Sequence, residues 1–146
     1  MAEMNDELLH EAVVEAVEDA ELVRQSKAPV AVTVENGVVT VEAVVMSGHM
    51  KTVLLNQVAA VPGVVKVIDK VYEDRDIEIT AARALAEHDA LDALRPPLII
   101  NSYKGVLTIS GYVPEEALID EALRIGEGIG GVRRVRSEIK VGQGAI

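Results

Sequence analysis

The chain contains no cysteine, phenylalanine or tryptophan, and only three tyrosines. Without cysteine there are no disulfides, thiolate metal sites or cysteine nucleophiles. Without the large aromatics, a chain that is 49% apolar must build its core from aliphatic side chains. Valine dominates that set, and β-branched residues favour strands. No apolar run approaches the roughly 18 residues of a bilayer-spanning helix. The opening Met1-Ala2-Glu3-Met4-Asn5-Asp6-Glu7 is acidic, whereas a secretory leader begins with positive charge followed by an apolar stretch. These features predict a soluble, cytoplasmic protein, with peripheral membrane association as a variant. Basic residues are also scarce. The net charge of −10 argues against nucleic-acid binding, which requires neutralised phosphates.

What is present is a repeat. Shifting the chain so that Asp6 falls on Asp74 also places Ala16 on Ala84, Pro29 on Pro97 and Val45 on Val113. In the same register Asn36-Gly37-Val38-Val39-Thr40-Val41 meets Lys104-Gly105-Val106-Leu107-Thr108-Ile109. Pro62-Gly63-Val64-Val65-Lys66-Val67 meets Gly130-Gly131-Val132-Arg133-Arg134-Val135. Two copies of one small fold therefore stand in tandem, at 1–73 and 74–146. Units this small bury a modest share of their surface, so the two repeats are expected to pack together. Glu73-Asp74-Arg75 offers no flexible spacer between them.

Each repeat reads as helix, strand, strand, helix, strand. Leu9, Val13, Ala16, Val17 and Ala20 recur at helical spacing, as do Ile77, Ala81, Ala84, Leu85 and His88. Val30, Val32 and Val34 alternate with Ala31, Thr33 and Glu35, as in a half-buried strand. Asn36-Gly37 is a two-residue hairpin signal, and Lys104-Gly105 keeps the glycine. The return strands fall at 38–45 and 106–113. Met50, Val53, Leu54 and Val61 mark the second helix, matched by Leu118, Ala122, Ile125 and Ile129. Gly63 and Gly131 close these helices before last strands at about 64–72 and 132–141. The fold class is α+β: two tandem αββαβ units, each a small three-stranded mixed sheet with two helices packed on one face.

This pattern resembles a tandem pair of BON domains, the module named for bacterial osmotically inducible and nodulation proteins. The family's opening Asp-x-x-Ile helix is read at Asp76-Ile77-Glu78-Ile79. Its glycine-valine hairpin is read at Gly105-Val106-Leu107-Thr108-Ile109-Ser110-Gly111-Tyr112-Val113, and its closing motif at Gly131-Val132-Arg133-Arg134-Val135. Repeat one departs at Ala43, where Gly111 stands in repeat two. The resemblance implies a non-enzymatic module associated with phospholipid surfaces, osmotic stress and the envelope. Relatives in the cytoplasm include a potassium sensor.

No constellation of catalytic type emerges. His10, His49 and His88 occupy three different repeat positions, and no activated serine motif is present. The run Gly126-Glu127-Gly128-Ile129-Gly130-Gly131 closes a helix instead of opening one, so it reads as a loosened helix end and not a phosphate cradle. Glu115, Glu116, Asp120 and Glu121 could attract a hard cation, but helical placement spreads them around the axis. Neither a metal site nor a cofactor is expected.

Strand parity gives a more specific expectation. Thr33, Glu35, Thr40, Glu42, Lys66, Ile68, Lys70 and Tyr72 lie opposite the valine core of repeat one. Asn101, Tyr103, Thr108, Ser110, Tyr112, Arg134, Arg136 and Lys140 do so in repeat two. The candidate binding residues are Lys66, Tyr103, Tyr112, Arg133, Arg134, Arg136 and Lys140. They would meet phospholipid headgroups or an envelope- or stress-related protein, or pair the open sheet faces in a homo-oligomer. The alternative is a small-ligand or cation sensor, for example of potassium, in which the ligand alters packing between repeats.

Overall fold

The computed structural model describes residues 5–142. The chain divides into two compact units, Met1–Glu73 and Asp74–Ile146. Unit 1 runs α1 (Asp6–Asp19), α2 (Glu21–Ser26), β1 (Val30–Glu35), β2 (Val38–Val45), α3 (Gly48–Ala59) and β3 (Lys66–Glu73). Unit 2 repeats the order as α4 (Asp74–Ala86), α5 (Asp89–Asp92), β4 (Ile99–Tyr103), β5 (Val106–Val113), α6 (Glu116–Glu127) and β6 (Arg134–Val141). Both sheets are three-stranded, with the return strand in the middle: β1-β2-β3 and β4-β5-β6. The hairpin pairs antiparallel, and the last strand runs parallel to the middle one. Parallel pairing needs a crossover, which α3 and α6 supply. The α+β architecture with two mixed sheets is the one read from the sequence.

Each unit has one helix more than the pattern predicts. The first helix stops at Ala20, whose backbone turns extended (ψ 99°), and a short second helix follows. Ala20 is buried on the apolar stripe, so periodicity alone carries the eye past the break. At the equivalent position of unit 2, the His88 ring accepts the Leu91 N–H and caps α5. The later helices also end sooner than read: Val61 and Ile129 lie beyond α3 and α6.

Each core sits on one face of its sheet. In unit 1, Leu9, Val13 and Val17 from α1 and Met50, Leu54 and Val58 from α3 close over Val39, Val41, Ala43 and Val45. In unit 2 the buried set includes Ile77, Ala81 and Leu85, Leu118 and Ala122, and Leu107, Ile109 and Val113. The glycine run does close α6, with Gly128 at its C-cap, but its first member has a different role. Gly126 lies within α6 and is buried. A Cβ there would come 3.2 Å from a Leu107 methyl and 3.3 Å from methyls of Ile109 and Val135. The helix therefore seats directly on bulky strand residues. Unit 1 makes the opposite trade at equivalent positions, with Val58 on its helix above Val39 and Val41.

Both hairpin turns take positive φ at two residues, Asn36 (52°) and Gly37 (79°), then Lys104 (51°) and Gly105 (83°). This geometry matches the strand twist but strains a lysine by about 1 kcal/mol or more. An aspartate at the start of the first helix holds each turn. The Asp6 carboxylate accepts the N–H groups of Asn36 (2.8 Å) and Gly37 (3.2 Å). Asp74 accepts those of Lys104 (2.8 Å) and Gly105 (3.0 Å), and the Ser102 hydroxyl at 2.7 Å. The turn's next carbonyl is used as well: Gly37 O takes the Val65 N–H, and Gly105 O takes that of Arg133. Helix, hairpin and last strand are thus tied at one corner. The aspartate that does this in unit 2 is Asp74, which the internal repeat aligns with Asp6.

The sheet edges are blunted in both units, as exposed edges must be to avoid adventitious pairing. Along β1 and β4, a side chain of the first helix covers the edge: the His10 ring donates to Val32 O, and Glu78 accepts the Ser102 N–H. On the far edge, Asp69 accepts the Val71 N–H and Ser137 accepts that of Ile139. Among the described residues no helix is long and apolar enough to cross a membrane.

Candidate functional site: the outer sheet face of unit 2

With its helices on one side, each sheet leaves its other face to be explained. The unit 2 register arranges that face in rows. Tyr103, Val106 and Arg134 form one row; Asn101, Thr108 and Arg136 the next; Ile99, Ser110 and Glu138 a third; Tyr112 and Lys140 the last. Strand spacing makes this a platform about 10 Å wide and roughly 20 Å long. Its apolar members are well exposed: Ile99 67%, Tyr103 55% and Tyr112 40%. The β6 row of Arg134, Arg136 and Lys140 is exposed along its length.

Local contacts order part of this surface without neutralising it. The Lys104 ammonium lies 5.4 Å from the centroid of the Tyr103 ring, a cation–π distance that adds a positive charge at the hairpin end. Arg136 reaches Glu138, its neighbour but one on the same face, at 3.9 Å. This long, exposed pair contributes little to stability.

The seven predicted residues divide into three groups. Tyr103, Tyr112, Arg134, Arg136 and Lys140 share the platform. Arg133 precedes β6, and its guanidinium donates to Lys104 O at 3.3 Å, which ties it to the turn. Lys66 lies on the corresponding face of unit 1, paired with Val38. That face differs in character. Tyr72 is half-buried, Val44 opposite it is buried, and Ile68 is the prominent exposed apolar residue at 37%. Parity placed the platform correctly but began its β4 row at Asn101 and passed over Ile99. The alternation Ile99, Asn101, Tyr103 is the signal that includes it.

The acidic residues considered for a cation do not converge. Arg124 pairs closely with Glu121, and His88 approaches the same carboxylate at 3.9 Å. The hydrogen bond from Arg124 holds the Glu121 carboxyl below its usual range, and the same bond raises the guanidinium. No group of three or more His, Asp or Glu side chains among the described residues could hold a metal ion.

These units combine an aspartate-pinned hairpin, a parallel third strand and a closing glycine turn. The BON domain family profile matches residues 73–143. Unit 2 is a BON domain. The solved C-terminal domain of CdsD, the structural protein of the type III secretion system of Chlamydia trachomatis, is similar over 88% of this chain. Its TM-score is 0.60 at 22% sequence identity, a likeness of fold. This chain spans 65% of the length of that one. A second CdsD structure gives a TM-score of 0.42 at 12% identity, covering 88% of this chain and 91% of the other. Among curated proteins none matches this chain in sequence. The BON assignment points to a binding or scaffold module, and Asp74, Gly105 and Gly131 of the BON unit are accounted for by its turns.

Proposed function

We propose that this chain is a non-enzymatic, tandem BON-type docking protein whose working surface is the outer sheet face of unit 2, and that its partner is an acidic protein surface. One observation carries this reading: Ile99, Tyr103 and Tyr112 are exposed on one platform bordered by Arg134, Arg136 and Lys140. Tyrosine and arginine are the residue types that anchor protein interfaces, where lysine-rich electrostatics alone would give little specificity. The blunted edges favour docking on the face over strand addition.

A membrane partner fits less well. Juxtamembrane lipid-binding clusters hold about four to eight basic residues. The platform reaches only the lower end of that range, with three on β6 and Lys104 at its end, whereas its exposed Ile99, Tyr103 and Tyr112 are of the types that anchor protein interfaces.

The test uses a fluorescein-labelled poly-glutamate peptide and anisotropy at 50 mM salt. The chain binds it, and Arg134→Glu with Arg136→Glu weakens binding by about tenfold or more, as expected for charges facing an acidic partner. Co-sedimentation with phosphatidylglycerol-containing vesicles stays near background. Vesicle binding without peptide binding would transfer the function to phospholipid, and binding to neither would remove the platform as a docking site.

A further inference from the structure

The internal repeat provides a control for surface charge, because the same fold is built twice with different side chains. On α1, Glu7, Glu11, Glu15 and Glu18 form one exposed helical stripe, with Leu8 (53% exposed) beside it. The equivalent positions on α4 are Arg75, Ile79, Arg83 and Ala86. The fold therefore does not require acids there. Nor does local electrostatics favour them all. Acids suit the N-terminal turn of a helix, but Glu18 and Asp19 stand at the C-terminal end of α1, where the last turn has no basic residue.

The sheet face shows the converse. Arg134, Arg136, Glu138 and Lys140 on β6 correspond to Lys66, Ile68, Lys70 and Tyr72 on β3, two net positive charges in each case. Glu35 and Glu42 offset them on the unit 1 face, where unit 2 has Tyr103 and Ser110. One repeat has thus made its helix acidic and the other has made its sheet face basic. Overall, unit 1 has twelve acidic side chains against five basic, and unit 2 has twelve against nine. The two stripes also match in length. Glu7 to Glu18 spans about 17 Å along a helix, and Arg134 to Lys140 spans about 20 Å along a strand. Among the described residues, the ion pairs leave all four glutamates of the α1 stripe unengaged. Both surfaces carry exposed apolar residues beside the charge: Leu8 on one, Ile99, Tyr103 and Tyr112 on the other.

We infer that the acidic partner of the unit 2 platform is a second copy of this chain, presenting the α1 stripe. The inference rests on the docking role proposed above and names its occupant. Unlike surfaces meet in such a contact, so it is heterologous and can extend from copy to copy or close on itself. Complementary charge sets its register and makes it sensitive to salt.

The test is sedimentation velocity of the full chain across a concentration series at 20 mM and 500 mM salt. The expected result is concentration-dependent mass above the monomer at 20 mM, lost at 500 mM. Reversing the helix stripe (Glu7→Lys, Glu11→Lys, Glu15→Lys) or the strand row (Arg134→Glu, Arg136→Glu, Lys140→Glu) weakens association by about tenfold or more, from three modest charge pairs. An equimolar mixture of the two variants associates again, because each then presents what the other lacks. Reversal of Glu115, Glu116 and Asp120 at the start of α6 serves as the control and leaves association intact. Circular dichroism confirms that each variant is folded.

A monomer at every concentration in 20 mM salt overturns the inference, as does association that neither reversal weakens or that mixing does not restore. If the chain stays monomeric yet binds poly-glutamate through the platform, the docking role stands and only the identity of the occupant fails. If poly-glutamate binding is absent as well, both fall.

Discussion

Asp74→Ala is expected to destabilise unit 2 by about 3 kcal/mol, lowering its melting temperature by roughly 10–20 °C. The carboxylate accepts three hydrogen bonds, and one comes from Ser102, which is 7% exposed. Every buried side-chain polar atom among the described residues has a partner. Removing Asp74 deprives the Ser102 hydroxyl of its acceptor, frees two turn N–H groups and leaves Lys104 strained at positive φ. Asp6→Ala removes two bonds at a turn where Asn36 is exposed, so water replaces much of what is lost. Its expected cost is about 1 kcal/mol. Urea unfolding followed through the amide resonances of each unit separates the two effects. Equal costs for Asp6→Ala and Asp74→Ala would show that the third bond and the burial of Ser102 do not matter.

The second large effect lies under α6. Gly126→Val should cost about 2–3 kcal/mol despite valine's better helix propensity, because its methyls have no room above Leu107, Ile109 and Val135. Unit 1 provides the remedy, since it carries Val58 over Val39 and Val41. Adding Leu107→Val and Ile109→Val to Gly126→Val should recover stability to within about 1 kcal/mol of the original chain. The coupling between helix and strand substitutions is then at least about 1 kcal/mol. Additive losses in the denaturation series would mean that α6 is spaced from the sheet by something other than these methyls.

These two results bear on how much the sequence reveals. The hairpins, the middle strands at 38–45 and 106–113, and the position of most platform residues follow from turn glycines and a period of two, which act locally. The break at Ala20 does not show, because a buried alanine suits either a continuing helix or a kink. Gly126 misleads for a related reason. Glycine near a helix end usually marks termination, and only the bulk of Leu107 and Ile109 opposite reveals it as a packing position. Asp74 and Asp76 both offer an acid at the start of a helix; the repeat aligns Asp74 with Asp6, but its role shows only with the hairpin 30 residues later. Charge behaves differently again. The acidic α1 and basic β6 are visible in composition, but their positions on one helix stripe and one open sheet face become definite only in three dimensions.

The central claim is that the outer face of unit 2 is where this chain binds an acidic surface. Its most direct test is a residue-resolved titration of the isotopically labelled chain with poly-glutamate at 50 mM salt. Shifts should concentrate at Ile99, Asn101, Tyr103, Thr108, Tyr112 and along Arg134–Lys140, and disappear at 500 mM salt. Shifts centred on the face bearing Lys66, or none at all, would contradict the account.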